Sequence, residues 1–259
     1  MTNELGKWWK SRFFIITVMI FAICVTVAGL IMTRRIKING WFAERYSING
    51  IDVSHHQGEI DWKKIEEQDV DFAFVKATEG SSHIDERFAE NWEQVKDTSI
   101  LAGAYHFFSF DSGAETQAQQ FIDTVGVLDG HLSPVIDVEY YGDKRINPPE
   151  KGKLVSSLKE MLTILEEKYQ VKPIIYTTYP MYFKYLKEDF GDYPLWIRNV
   201  YFKPGSELGQ EWMFWQYSDT EVLEGYGEGG TETYIDRNVF AGDKEDLKRF
   251  IVGQEEETP

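Results

Sequence analysis

From Gly50 onward, short apolar runs that end in polar residues alternate with amphipathic helical stripes, and this alternation restricts the fold more than any other feature of the 259 residues. The runs fall at 50–53, 72–76, 101–108, 134–139 and 172–176. Between them Phe88, Trp92 and Val95 recur at helical spacing, as do Ala118, Phe121, Ile122 and Val125. The longest stripe is Leu154, Leu158, Met161, Leu162, Leu165 and Tyr169, and it follows Pro148 and Pro149. These stripes read as core packing. A further helical stretch is expected at 180–190, then strands at 195–200, 212–217 and 233–236, with a Gly-rich loop at 225–230. Repeated strand–helix units imply parallel strands with right-handed crossovers, and eight strands suggest closure into an α/β barrel. No internal repeat or second domain is evident.

In such a barrel the chemistry lies at the carboxyl ends of the strands. The polar residues there are Asp52, Lys76, Glu79, Tyr105, His106, Asp137, Glu139 and Tyr176, followed by Trp196, Gln216 and Asp236 in the later strands. Asp137 and Glu139 are the sharpest signal. Strand alternation puts both side chains on one face, roughly 6.6 Å apart along the chain. Two carboxyls this close repel, so one keeps its proton near neutral pH, as glycoside hydrolysis requires. The competing explanation is a solvated strand end or a salt-bridged pair. It loses weight because the motif ends an apolar strand and Asp52 recurs at another.

Other chemistries find little support. His55 and His56 are adjacent and on a strand would point oppositely, and no metalloprotease or EF-hand motif is present. The single cysteine, Cys24, rules out an intrachain disulfide and a cysteine-built zinc site. No Gly-x-Ser-x-Gly elbow occurs. No metal and no cofactor are expected. The chain carries −16, its first 37 residues +5, and the remainder therefore −21. Such a body repels phosphate, so nucleic acid is not an expected partner.

Residues 13–33 carry no charge and lie between Arg12 and Arg34. At 1.5 Å per residue they span a hydrocarbon core of roughly 30 Å. A cleaved signal peptide would have a shorter apolar core and a small-x-small site, and Ile23 before Cys24 disfavours a lipoprotein site. The expected organisation is an N-terminal tail at 1–12, a transmembrane helix at 13–33, a linker at 34–49, the catalytic barrel at 50–252 and a C-terminal tail at 253–259.

Six segments in order carry a family resemblance. They are Gly50-Ile51-Asp52-Val53-Ser54-His55-His56-Gln57-Gly58, Phe74-Val75-Lys76-Ala77-Thr78-Glu79-Gly80, Gly103-Ala104-Tyr105-His106-Phe107, Pro134-Val135-Ile136-Asp137-Val138-Glu139, Trp215-Gln216-Tyr217-Ser218 and Asp236-Arg237-Asn238-Val239-Phe240. Together they resemble the family 25 glycoside hydrolases, the muramidases often called Chalaropsis-type lysozymes. The resemblance covers the body from Gly50 to the region of Phe250. It implies an irregular, flattened (β/α)5β3 barrel that cleaves the β-1,4 bond between N-acetylmuramic acid and N-acetylglucosamine. It also implies Glu139 as general acid, Asp137 as nucleophile or orienting group, and Asp52 and Asp236 as the rest of a carboxylate cluster. Tyr105, Tyr176, Trp196 and Gln216 are the expected substrate contacts.

The expected partners are peptidoglycan glycan strands and, through the N-terminal helix, the membrane; no protein partner can be named. Peptidoglycan lies outside the cytoplasmic membrane, so the expected location is the cell membrane of a Gram-positive bacterium with the body outside. Retention with help from the substrate's acetamido group is the expected mechanism. The alternatives are a chitinase-like β-glycosidase and an inactive wall-binding module.

Overall fold

The structure, a computed structural model, describes residues 2–33 and 35–254. Arg34, expected to bound the apolar run, and residues 255–259 of the expected tail lie outside the described residues. Helix α1 (Thr2–Met32) continues through the segment expected as an N-terminal tail. Its stretch from Arg12 to Met32 is apolar and long enough to cross a membrane, and no part of it is buried against the barrel over its most apolar window. The hydroxyls of Thr17 and Thr26 donate to the carbonyls of Phe13 and Ala22, so neither carries an unmet donor into an apolar surrounding.

The eight expected strands all form: β1 (Ile48–Val53), β2 (Phe72–Glu79), β3 (Leu101–Phe107), β4 (Val135–Val138), β5 (Ile174–Thr178), β6 (Leu195–Arg198), β7 (Phe214–Glu221) and β8 (Ile235–Phe240). Pairing from β1 through β7 is parallel throughout. Strand β8 reverses, pairs antiparallel with both β7 and β1, and closes the ring. The reversal is permitted because no helix intervenes between β7 and β8, only the short arm Tyr226–Glu228 and its loop.

Alternation divides the apolar residues into two cores. Inward-facing Phe72, Phe74, Val135, Ile174, Trp196, Phe214 and Phe240 fill the barrel lumen. Outward-facing Val75, Ile136, Ile175 and Ile197 pack beneath the helices α3 (Trp62–Glu66), α4 (Phe88–Val95), α5 (Ala114–Val125) and α6 (Lys151–Tyr169). Phe74 fits the lumen because its neighbour on β3 is Gly103, where a Cβ would lie 2.7 Å from the ring. Helix α6 starts as its prolines suggest, with the Glu150 carboxylate accepting from the N–H groups of Gly152 and Lys153.

Two further segments differ from expectation. The helical pattern over 180–190 becomes a short helix, Tyr179–Met181, and a wide π turn, Tyr182–Leu186. The wide turn lets Tyr182 donate to the Leu208 carbonyl at 2.7 Å while Tyr185 donates to the Pro149 carbonyl at 3.0 Å. Much of the segment expected as a linker is folded against the barrel. Within α2 (Asn39–Ala43), Asn39 and Ala43 are buried, and Tyr46 packs edge-on against Trp212 at 5.3 Å.

Candidate active site

All eight residues singled out as site residues stand at the carboxyl end of the parallel strands or immediately beneath it. Seven of them line one cleft of about 210 Å³: Asp52, Tyr105, Asp137, Glu139, Tyr176, Trp196 and Asp236. The eighth, Gln216, is buried under them. Asp236 reaches this end by a route the expected strand 233–236 did not contain. Strand β8 starts at Ile235 and runs the other way, so a residue near its beginning meets the ends of its neighbours. Asp52 and Asp236 are direct cross-strand partners. Asp137 pairs with Tyr176, and Tyr176 with Trp196, so the register lays a carboxyl and two aromatic residues side by side.

Asp52 is held from below. Its Oδ2 accepts from Asn238 Nδ2 at 2.7 Å and Gln216 Nε2 at 3.1 Å. Gln216 Oε1 in turn accepts from the Tyr176 hydroxyl at 2.8 Å, and Asn238 Oδ1 from Trp196 Nε1 at 2.9 Å. The polar atoms of Tyr176, Trp196 and Gln216 are therefore committed to positioning Asp52, and both rings are buried, with Trp196 stacked on Phe74 at 4.6 Å. Asn238, which the sequence alone marks with no role, shares a strand face with Asp236. Arg198 was not singled out; it lies two residues past Trp196 on the same face of β6 and pairs with Asp219.

Burial raises the pKa of every carboxyl in the cluster. Asp52 is pushed up to about 6 by desolvation, with the Asn238 and Gln216 hydrogen bonds opposing. Asp137 is held well above the ordinary carboxylate range by burial and then by the charge of Glu139. Glu139 is raised by burial, and the nearby Arg198 guanidinium pulls it back. Asp236 is raised well above its usual value by burial and by Asp52. The charge of Glu139 is the second cause that raises Asp137, so the two carboxyls resist ionising together. Asp137 Oδ1 is buried and accepts no hydrogen bond from the described residues, so the pair keeps acceptor capacity unused.

One wall of the cleft comes from the turn after β1. His55 and His56 do not alternate on a strand; they form a 3-10 turn with ring centroids 4.0 Å apart. Ser54 and Gln57 cap this turn reciprocally. Gly58 has φ +70°, and a Cβ there would come within 2.4 Å of the Glu228 carbonyl, so only glycine lets the turn meet the Gly-rich loop. The His56 carbonyl accepts from the backbone N–H groups of Thr231 and Glu232, which draws Glu232 into the cleft wall. His106, on the third strand, is buried outside the cleft. Its Nδ1 meets the Thr78 hydroxyl at 2.7 Å and its Nε2 meets Gln117 Oε1 at 3.1 Å. Burial pushes its pKa down to about 4, so it is neutral and structural. Among the described residues no group of His, Cys, Asp and Glu is disposed to hold a metal ion.

A closed α/β barrel whose strand ends gather paired carboxyls with raised pKa values beside aromatic side chains is the arrangement of a glycoside hydrolase. The model of glycosyl hydrolases family 25 matches residues 51–226, and the chain belongs to that family. It is 36% identical over 216 residues to the uncharacterized protein YegX of Escherichia coli K12, covering 82% of this chain and 76% of that one. It is 30% identical over 216 residues to lysozyme M1 of Streptomyces globisporus, with 77% and 70% covered. A family 25 glycosyl hydrolase from Bacillus anthracis superposes with a TM-score of 0.75 at 45% identity, over 80% of this chain and 94% of that one. The protein is thus a glycosidase of the lysozyme and muramidase class, a family whose chemistry is peptidoglycan hydrolysis.

Proposed function

We propose that the chain is a membrane-anchored N-acetylmuramidase that cuts the β-1,4 bond between N-acetylmuramic acid and N-acetylglucosamine from the outer side of the membrane. The observation that carries this reading is the cleft shared by Asp52, Asp137, Glu139 and Asp236 at the strand ends. Glu139 is the general acid. It is less deeply buried than Asp137, and its raised pKa keeps a proton available for the leaving oxygen. Asp137 holds the substrate's 2-acetamido group, accepting its N–H and orienting its carbonyl oxygen toward the anomeric carbon. That oxygen displaces the leaving group as Glu139 protonates it, and water then opens the cyclic intermediate with net retention. Asp52 adds negative field beside the forming oxocarbenium ion, Asp236 completes the carboxyl cluster, and Tyr105, Tyr176 and Trp196 contact the sugar rings. The barrel is the catalytic unit, α1 the anchor and the bilayer its partner. The expectation of a Gram-positive source gains no support from relatives that include proteins of Escherichia coli.

Digestion of purified peptidoglycan followed by mass analysis tests this reading. Products with muramic acid at the reducing end support it; products ending in N-acetylglucosamine point to the chitinase-like alternative. Glu139→Gln is expected to abolish turnover while the protein still sediments with cell wall. Equal digestion by parent and variant would remove the assignment of Glu139, and no digestion by either would favour a wall-binding module. Proton NMR of the first-formed anomer tests stereochemistry: a β product is expected, and an α product ends the retaining mechanism.

A further inference from the structure

The first helix meets the barrel at the end that carries the cleft. Leu30 and Ile31 are partly buried there, and Ile31, Ile36 and Ile38 line a crevice with Val200, Tyr201 and Thr220. Val200 and Tyr201 follow the carboxyl end of β6, and Thr220 lies in the last turn of β7, the same end at which Glu139, Tyr176 and Trp196 face the cleft. The chain between helix and barrel has no slack. The N–H groups of Arg35 and Ile36 both donate to the Leu30 carbonyl. Lys37 Nζ reaches the Thr220 carbonyl at 2.8 Å and the Glu221 carboxylate at 3.0 Å. Asn39, buried, donates to the carbonyls of Asn199 and Tyr217.

Around this junction the rim is aromatic and exposed. Trp41 is 72% exposed, Phe202 50% and Phe183 45%. Tyr179 packs edge-on to Phe202 at 5.5 Å and lies 5.7 Å from Phe183, so these three form one cluster after β5 and β6. Lys187 Nζ sits 5.0 Å above the Phe183 ring. Aromatic rings with a cation beside them are at home at the level of lipid headgroups. A span from Arg12 to Met32 places Met32 at that level, and the barrel rim begins within four residues of it.

We infer that the carboxyl-end rim of the barrel, presenting Trp41, Phe183 and Phe202, rests in the headgroup layer of the bilayer, so that the cleft opens onto glycan at the membrane surface. This rests on the anchored reading proposed above. The occupant is the bilayer because the rim is continuous with the helix that crosses it. Wall strands beyond the reach of a docked barrel are not its substrate.

Cys24, the sole cysteine and a residue of the span, provides the control. Full-length protein is reconstituted in phosphatidylglycerol–phosphatidylcholine vesicles, and an environment-sensitive fluorophore is attached at one thiol at a time. The thiols are native Cys24, then Trp41→Cys, Phe202→Cys or Glu167→Cys in a Cys24→Ser background. Glu167 is exposed near the end of α6, at the opposite end of the barrel. Nitroxide carried on the lipid headgroup is expected to quench the probes at 41 and 202 and spare the one at 167. Nitroxide deep in the acyl chains is expected to quench Cys24. Quenching at Cys24 with equal, weak quenching at 41, 202 and 167 overturns the rim inference and leaves the anchor standing. Absence of deep quenching at Cys24 overturns both.

Discussion

Two buried and two half-buried carboxyls around one cleft make the site a source of instability at neutral pH, and the cost can be assigned to single residues. Asp52 carries a folded-state pKa of about 6 against an ordinary 3.8. An acid raised in this way binds its proton more tightly when folded. Its contribution to stability is whole below about pH 3.8 and is lost as pH rises through about 6, a difference of about 3 kcal/mol. Asp52→Asn keeps an oxygen for Asn238 and Gln216 but has no charge to desolvate. It is expected to raise the melting temperature at pH 8 and to change it little at pH 4; the same shift at both values would contradict the assignment. With Glu139 as the proposed general acid, Arg198 would act on catalysis through the pKa of that acid. The general acid works in its protonated form, so activity falls as pH rises through its pKa, and Arg198 lowers that pKa. Arg198→Gln is expected to move the alkaline limb of the kcat/KM profile to higher pH, and an unmoved limb would show that the guanidinium does not reach the acid. Asp137 and Glu139 were readable from strand alternation alone. Arg198 and Asn238 obey the same alternation, yet an arginine or asparagine near a strand end is common enough that nothing marks it until its partner across the sheet is known.

At the scale of elements, the strand–helix alternation located every barrel strand because inward and outward residues are both apolar, which leaves continuous runs bounded by polar ends. What stayed hidden were features set by contacts distant in sequence. The reversed direction of β8 follows from its partners β7 and β1. The π turn at Tyr182–Leu186 is widened by bonds to Leu208 and Pro149. The turn at His55–Gln57 is shaped by the Gly-rich loop some 170 positions on. Packing between strands gives its own test. A Cβ at Gly103 would meet Phe74 Cδ1 at 2.7 Å and Leu132 Cβ at 3.0 Å. Gly103→Ala is expected to cost about 1–3 kcal/mol by forcing a lumen ring aside. Chemical denaturation reads this directly, and an unchanged midpoint would mean that the lumen has room to give.

For the whole molecule, the folded body begins closer to helix α1 than composition suggests. The segment at 34–49 has no strong apolar pattern, so it reads as a linker; only its partners on β7 and the 199–212 loop reveal it as part of the fold. Ala43, Asn39 and Tyr46 cover surface that a fragment beginning at Ser47 would expose. Such a fragment is expected to melt below one beginning at Arg35, by several degrees if about 1–2 kcal/mol of packing is lost. Coincident melting would return these residues to the status of a tether.

The closure of the ring also orders events in time. Strand β1 is among the first parts of the barrel to leave the ribosome, and its antiparallel partner β8 is the last strand. Asp52 and Asp236 face each other only when those two join, and Asn238, which steadies Asp52, arrives on the same strand. An emerging chain therefore holds an incomplete carboxyl cluster until nearly its full length has been delivered. For an enzyme that cuts wall polymer, synthesis itself acts as a delay fuse: the molecule arms only after its last strand has been made and has closed the ring.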